Sequence, residues 1–220
     1  MKNLLYKELK LSVPVQTWIF VFLSILIFIP SWPSLVSFFY PLAGFSVVFS
    51  LGAANRDVLY TSTLPVRKRD IPRGKTALLC FLELLTVLVS IPFAFIKLFL
   101  LSGVEDVAEY PELGVNFATY GFVFLIFGIF NLIVLPWFYQ KADGKSTMPF
   151  VIGTLLTMIV MGAIMAIFMT IPGASTFINT FSGINLLTQL GILLFGLMVF
   201  VLFSLLASRL SEKNFQKVDI

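Results

Sequence analysis

The chain has 220 residues, of which 59% are hydrophobic and 12% charged, with 25 Phe, a net charge of +4 and a mean hydropathy of +1.00. Soluble domains carry roughly 25% charged residues, and a soluble fold of this length could not hide so much apolar surface, so hydrocarbon is the expected solvent. The single cysteine, Cys80, excludes an intrachain disulfide, and the absence of His excludes a His-based metalloprotease and the commonest general base.

In chain order, the first dozen residues mix Leu4, Leu5, Leu9 and Leu11 with Lys7, Glu8 and Lys10, a pattern suited to a short helix lying in the headgroup region. Six apolar runs follow, at 15–29, 34–54, 76–101, 117–139, 150–171 and 186–210. They are too long and too uniformly apolar for alternating barrel strands of about 10 residues, whereas helices satisfy their own backbone in lipid. A basic amino terminus before an apolar run also suits a signal peptide. Here the run is followed by Pro30, Ser31, Trp32 and Pro33 rather than a small-residue cleavage site, so it is expected to remain as span one and to turn sharply. The expectation is one membrane domain, 1–220, all-α, with six transmembrane helices.

The basic residues orient these spans. Lys2, Lys7 and Lys10 precede span one, and Arg56, Arg67, Lys68, Arg69, Arg73 and Lys75 lie around the connection between spans two and three. Lys141 and Lys145 follow span four, and Arg209, Lys213 and Lys217 end the chain. Six spans put all of these on one side, which the positive-inside rule makes cytoplasmic, with both termini inside. Lys97 alone falls towards the other face, where its stem is expected to snorkel to the interface. The opposite loop, 102–116, carries Glu105, Asp106, Glu109 and Glu112. A basic surface spread over loops beside apolar spans fits anionic membrane lipids and not nucleic acid.

Two strings, Gly74-Lys75-Thr76 and Gly144-Lys145-Ser146, imitate the end of a phosphate-binding loop, but Arg69 and Tyr139 occupy the positions where that loop needs its first Gly. No cofactor is therefore expected on this chain. The segment 55–75, NRDVLYTSTLPVRKRDIPRGK, is the one long polar stretch between closely spaced spans. Residues 57–63 suit a short helix, with Asp57 near its positive end and Pro65 stopping it. Val58, Leu59, Leu64 and Val66 add apolar contacts of the kind a docking element presents to a soluble partner.

Leu64-Pro65-Val66, then Arg67, Lys68, Arg69, Asp70 and Ile71, and Lys75 leading into a span, resemble the loop between spans two and three of ABC type 2 transporter permeases. The chain departs from that family's pattern at Arg67, where a small polar residue is usual, and at Asn55, Arg56 and Asp57, where Glu is usual. The resemblance extends more loosely to the basic amphipathic amino terminus, six spans and inside termini. It implies a dimer, with a second copy or a paralogue, joined to a separate ABC ATPase subunit that holds ATP and Mg. It further implies a cytoplasmic coupling helix over 57–63, with Arg56, Asp57, Val58, Leu59, Tyr60, Thr63, Leu64, Pro65 and Arg67 as the residues that meet the ATPase. The function implied is export of a hydrophobic or amphipathic substrate, with no catalysis by this chain. A non-transporting sensor or immunity subunit against membrane-active peptides is the alternative.

Inside the spans, Thr76, Cys80, Glu83, Thr86, Ser90 and Lys97 recur at helical spacings and fall on one face of span three, which should not face lipid. Glu83, Thr86 and Ser90, with Asn131 and Gln189 in spans four and six, are the candidates for a helix interface or a translocation path. Span five places Met158, Met161, Met165 and Met169 among Gly153, Gly162 and other small residues, a packing pattern.

Overall fold

The computed structural model describes residues 2–101, 114–140, 148–170 and 183–218. Among them every regular element is helical. Helix α1 (Lys2–Leu11) precedes α2 (Val15–Phe22), which tightens into a 3-10 stretch at Leu23–Phe28. After the Pro30 to Pro33 turn a second 3-10 stretch, Ser34–Phe38, runs into α3 (Phe39–Ala54). The short α4 (Asp57–Ser62) leads to α5 (Asp70–Leu101), α6 (Phe117–Phe138), α7 (Met148–Thr170) and α8 (Gly183–Gln216). Among the described residues five helices are long and apolar enough to cross a membrane: Ser34–Ala54, Asp70–Leu101, Phe117–Phe138, Met148–Ile167 and Gly183–Gln216. The sixth candidate is the amino-terminal pair, Leu4–Leu11 and Val15–Phe28, which is bent by 90°.

The long spans outrun their sequence-based limits where polar residues extend a helix past the apolar run. Helix α5 begins at Asp70, six residues before Thr76. Asp70 suits its positive end and Pro72 sits in the first turn, where a missing N–H removes no intrahelical bond. Helix α6 starts on a capping box: Asn116 accepts from the Thr119 backbone N–H at 2.9 Å while Thr119 reaches back to the Asn116 backbone.

The main packing is α6 against α8, backbone to backbone. A Cβ added to Gly196 would collide with the Gly121 carbonyl and Cα, one on Gly121 would collide with the Ile192 carbonyl, and one on Gly128 would press on the Phe200 Cα at 3.0 Å. Small residues allow this approach, which is how helices associate where lipid removes the hydrophobic drive. Helix α3 meets α2 in the same way: Gly44 abuts Phe20, and the buried Thr17 hydroxyl donates to the Gly44 carbonyl at 3.1 Å. On α7, Gly153 faces Val134 and Met161 is buried, whereas nothing lies within 4 Å of a Cβ on Gly162, so only one side of that Met-rich helix packs inward. The side chain of Met169 lies outside the described residues, as do Lys141, Lys145, Gly144, Ser146 and the acidic residues Glu105, Asp106, Glu109 and Glu112.

Contacts between termini show that successive long helices alternate in direction. Arg73, at the start of α5, pairs with Glu212 near the end of α8, and Asn214 donates to the Pro136 carbonyl near the end of α6 at 2.8 Å. Lys68 donates to the Val218 carbonyl and lies over the Phe215 ring. Lys97 is at the other end and departs from its expected place. It is fully buried, with Nζ donating to the Trp32 carbonyl at 2.7 Å and to Ser34 Oγ at 3.0 Å. Instead of snorkelling, the ammonium ties α5 to the turn that follows α2. That turn offers carbonyl and hydroxyl acceptors whose own burial needs a donor.

Candidate coupling site

The α3–α4 connection is abrupt. Arg56 adopts a left-handed backbone (φ 52°), the one non-Gly positive φ among the described residues, and this reverses the chain between Ala54 and Asp57. Helix α4 then runs for six residues and ends with Thr63 before Pro65, as Pro requires of the residues preceding it. Asp57 and Thr61, four residues apart, share one face.

That face closes on α1 and α5 through a ring of two ammonium and two carboxylate groups. Lys7 Nζ donates to Asp57 Oδ1 at 2.5 Å, to Thr61 Oγ1 at 2.6 Å and to Glu8 Oε1 at 3.0 Å. Lys75 Nζ donates to Glu8 Oε2 at 2.8 Å and Asp57 Oδ2 at 3.0 Å. Ser12 Oγ lies 2.8 Å from Glu8 Oε2 and 3.0 Å from Asp57 Oδ2. Each carboxylate thus meets both lysines, so the charges balance within the ring. Burial without such pairing would be prohibitive, since Glu8 and Lys75 are each 3% exposed.

Gly74 lets Leu4 of α1 press against α5 beside the ring, with Leu4 Cδ2 only 2.7 Å from where a Cβ would be. The Gly74-Lys75-Thr76 string therefore has structural work at all three positions, because the Thr76 hydroxyl donates to the Pro72 carbonyl at 2.9 Å. A cleft of about 190 Å3 lined by Ser12, Gly52, Asn55 and Tyr60 opens one side of the ring at Asp57.

Burial alone would raise the Asp57 pKa, but Lys75 and Lys7 outweigh it and hold the carboxyl at about 2. A carboxylate depressed on folding stabilises the fold above its unfolded value of about 3.9, and that stabilisation is lost as pH falls towards 2. With screening through the open side, its contribution is of the order of 1–2 kcal/mol. Wild type is therefore expected to lose thermal stability between pH 4 and pH 2 more steeply than Asp57→Asn, a difference measurable by melting both proteins in detergent across that range. Parallel pH profiles would contradict the assignment.

The outward side of α4 is apolar and aromatic. Tyr60 is 56% exposed and Leu59 37%, with Val66 beside them at 36%. Arg56, Thr63, Pro65 and Arg67 are exposed as well. Val58 and Leu64 differ from the expected docking role: Val58 packs against the hydrophobic core and Leu64 is half-buried. Six residues give less than two turns, so an inward face made by Asp57 and Thr61 leaves only Leu59 and Tyr60 of the helix facing out.

The intramembrane candidates form a second group. Glu83, Thr86, Ser90, Asn131 and Gln189 are all fully buried. Asn131 Nδ2 donates to Glu83 Oε2 at 2.9 Å and to Ser204 Oγ at 3.0 Å, which links α5, α6 and α8. Ser90 Oγ and the Tyr120 hydroxyl are 3.2 Å apart, and Ser24 Oγ donates to the Thr86 carbonyl at 3.3 Å. Glu83, Thr86, Ser90 and Asn131 thus make contacts between helices of the single chain. The polar stripe of α5 accordingly faces inward, with Thr76 and Lys97 buried and Cys80 half-buried.

The fold defines an all-helical, multi-pass membrane protein with a short exposed helix clamped at one end of the bundle. Compared with protein-family models, with curated proteins and with solved structures, the chain matches none.

Proposed function

We propose that this chain is the membrane subunit of an ATP-driven exporter, an ABC type 2 permease whose ATPase is a separate subunit. The observation that carries this reading is α4, a short helix with Leu59 and Tyr60 outward, whose inward face is bound by the Lys7–Glu8–Asp57–Lys75 ring to α1 and to the start of α5. A load applied to Tyr60 or Leu59 reaches two other elements through charge-assisted bonds, which are stronger than neutral ones. Helix α5, 32 residues long, carries it from Lys75 towards Lys97 and the Trp32 turn.

In this reading α1 is the interfacial helix, α4 the coupling helix, and the end of the bundle that holds them is cytoplasmic. The clustering there of Lys68, Arg73, Lys75, Arg209 and Lys213, with Lys97 at the far end, supports that orientation. Two copies, or one copy and a paralogue, join two ATPase subunits, which hold ATP and Mg. Closure of the ATPase pair rocks the spans as rigid bodies, and the substrate that suits a chain with 25 Phe and 7 Met is hydrophobic or amphipathic. Leu59 is exposed and outside the ion-pair ring, whereas the Tyr60 aromatic ring lies 6.0 Å from Lys7 Nζ, so the test substitution is Leu59→Asp alone. It is expected to leave expression and melting temperature unchanged while lowering capture of the ATPase, and stimulation of its hydrolysis, at least tenfold. Capture equal to that of wild type would remove α4 from the interface.

A further inference from the structure

A second feature, at the opposite end of the bundle, is independent of the coupling site. A lateral groove of about 370 Å3 runs between α5, α6 and α8, with Ile91, Ala94, Tyr120, Phe124, Leu193 and Leu197 among its walls. Pockets for small ligands begin at roughly 300 Å3. The α5 wall extends from Val87 to Leu98, which at 1.5 Å per residue is about 16 Å of helix, close to half of a hydrocarbon core about 30 Å thick. This stretch lies in the carboxy-terminal half of α5, so the groove spans one leaflet, the one holding the Lys97 end. Pro92 lies in its middle, where it leaves the Leu88 carbonyl without its usual helical donor.

We infer that the groove is a retention site for one acyl chain of a phospholipid in that leaflet. Length, depth and chemistry agree: the walls are apolar over one leaflet's thickness, Asn116 lies at the end where α6 starts, and the Tyr120 hydroxyl, deeper in the groove, is taken up by Ser90 Oγ 3.2 Å away. An acyl chain is also the apolar molecule present at that depth in every membrane, so occupation requires no separate supply. The chain enters sideways between α5 and α8, with its headgroup at the level of Asn116.

The test uses the full-length protein in nanodiscs containing phosphatidylcholine with a diazirine midway along one acyl chain, followed by photolysis and mapping of adducts. Adducts are expected on Ala94, Phe124 and Leu197 at least fivefold above those on Leu88 and Leu194, outward residues of α5 and α8 that are 63% and 66% exposed. Ala94→Phe fills the groove from within, and Ile91→Trp covers it from a position already 38% exposed, so the second variant keeps the test open should the first unfold. Both are expected to lower groove labelling at least fivefold and leave Leu88 and Leu194 unaffected. Equal labelling of the groove and the outward residues would mean an ordinary annular layer only and would overturn the inference. So would a disulfide linking two copies through Ile91→Cys, which would assign the groove to a second chain.

Discussion

Replacing Lys75 with Met is expected to destabilise the protein by roughly 3–5 kcal/mol, the range for removing one partner from a buried ion pair. Lys75 is 3% exposed, and its ammonium lies between Glu8 Oε2 and Asp57 Oδ2 at 2.8 and 3.0 Å. Without it, two carboxylates share Lys7 alone, and Glu8 has almost no access to water. Adding Glu8→Gln to Lys75→Met removes the stranded charge together with its partner. The double variant is expected to recover more than half of the loss, because a neutral pair carries far less desolvation. Thermal unfolding in detergent measures both effects. Additive losses would show that Lys75 and Glu8 act separately, contrary to the ring.

Gly196→Val is expected to prevent the native association of α6 with α8. Its Cβ would fall on the Gly121 carbonyl and Cα, atoms of a helix backbone that cannot rotate aside. Overpacking against side chains costs about 1–3 kcal/mol, and a backbone collision at the main helix interface is expected to exceed that and abolish recovery of folded protein. Gly162→Ala is the control: nothing lies within 4 Å of its Cβ. That change is expected to be neutral or to stabilise by up to about 1 kcal/mol through helix propensity. Size-exclusion profiles and melting temperatures of the two variants separate close approach from a general intolerance of change at glycine.

The α5 stripe was readable because a helical period is local. Thr76, Glu83, Thr86, Ser90 and Lys97 repeat at spacings that any helix turns to one side, and all are buried. The start of α4 was readable for a similar reason, since an acidic residue before a short run ending at Pro65 has one straightforward helical reading. The ring was not. Lys7 and Asp57 are 50 positions apart and Glu8 and Lys75 are 67 apart, and nothing in either neighbourhood says that α1 folds onto α4. Val58 was misplaced by the same gap, because which face of a six-residue helix points outward depends on what covers the other. Lys97 shows how position alone misleads. A lysine near the end of a span normally reaches water, but here the Trp32 turn folds over it and supplies the acceptors.

Tyr60 offers the most direct test of the account as a whole. A photoreactive amino acid placed at that position, activated in intact cells that make this chain, reports in one step on which side of the membrane α4 lies and what rests against it. Capture of a soluble ATP-binding subunit from the cytoplasm is the predicted result. Capture of proteins from the opposite side of the membrane, or of lipid alone, would contradict the assignment of α4 as the coupling helix of an ATP-driven exporter.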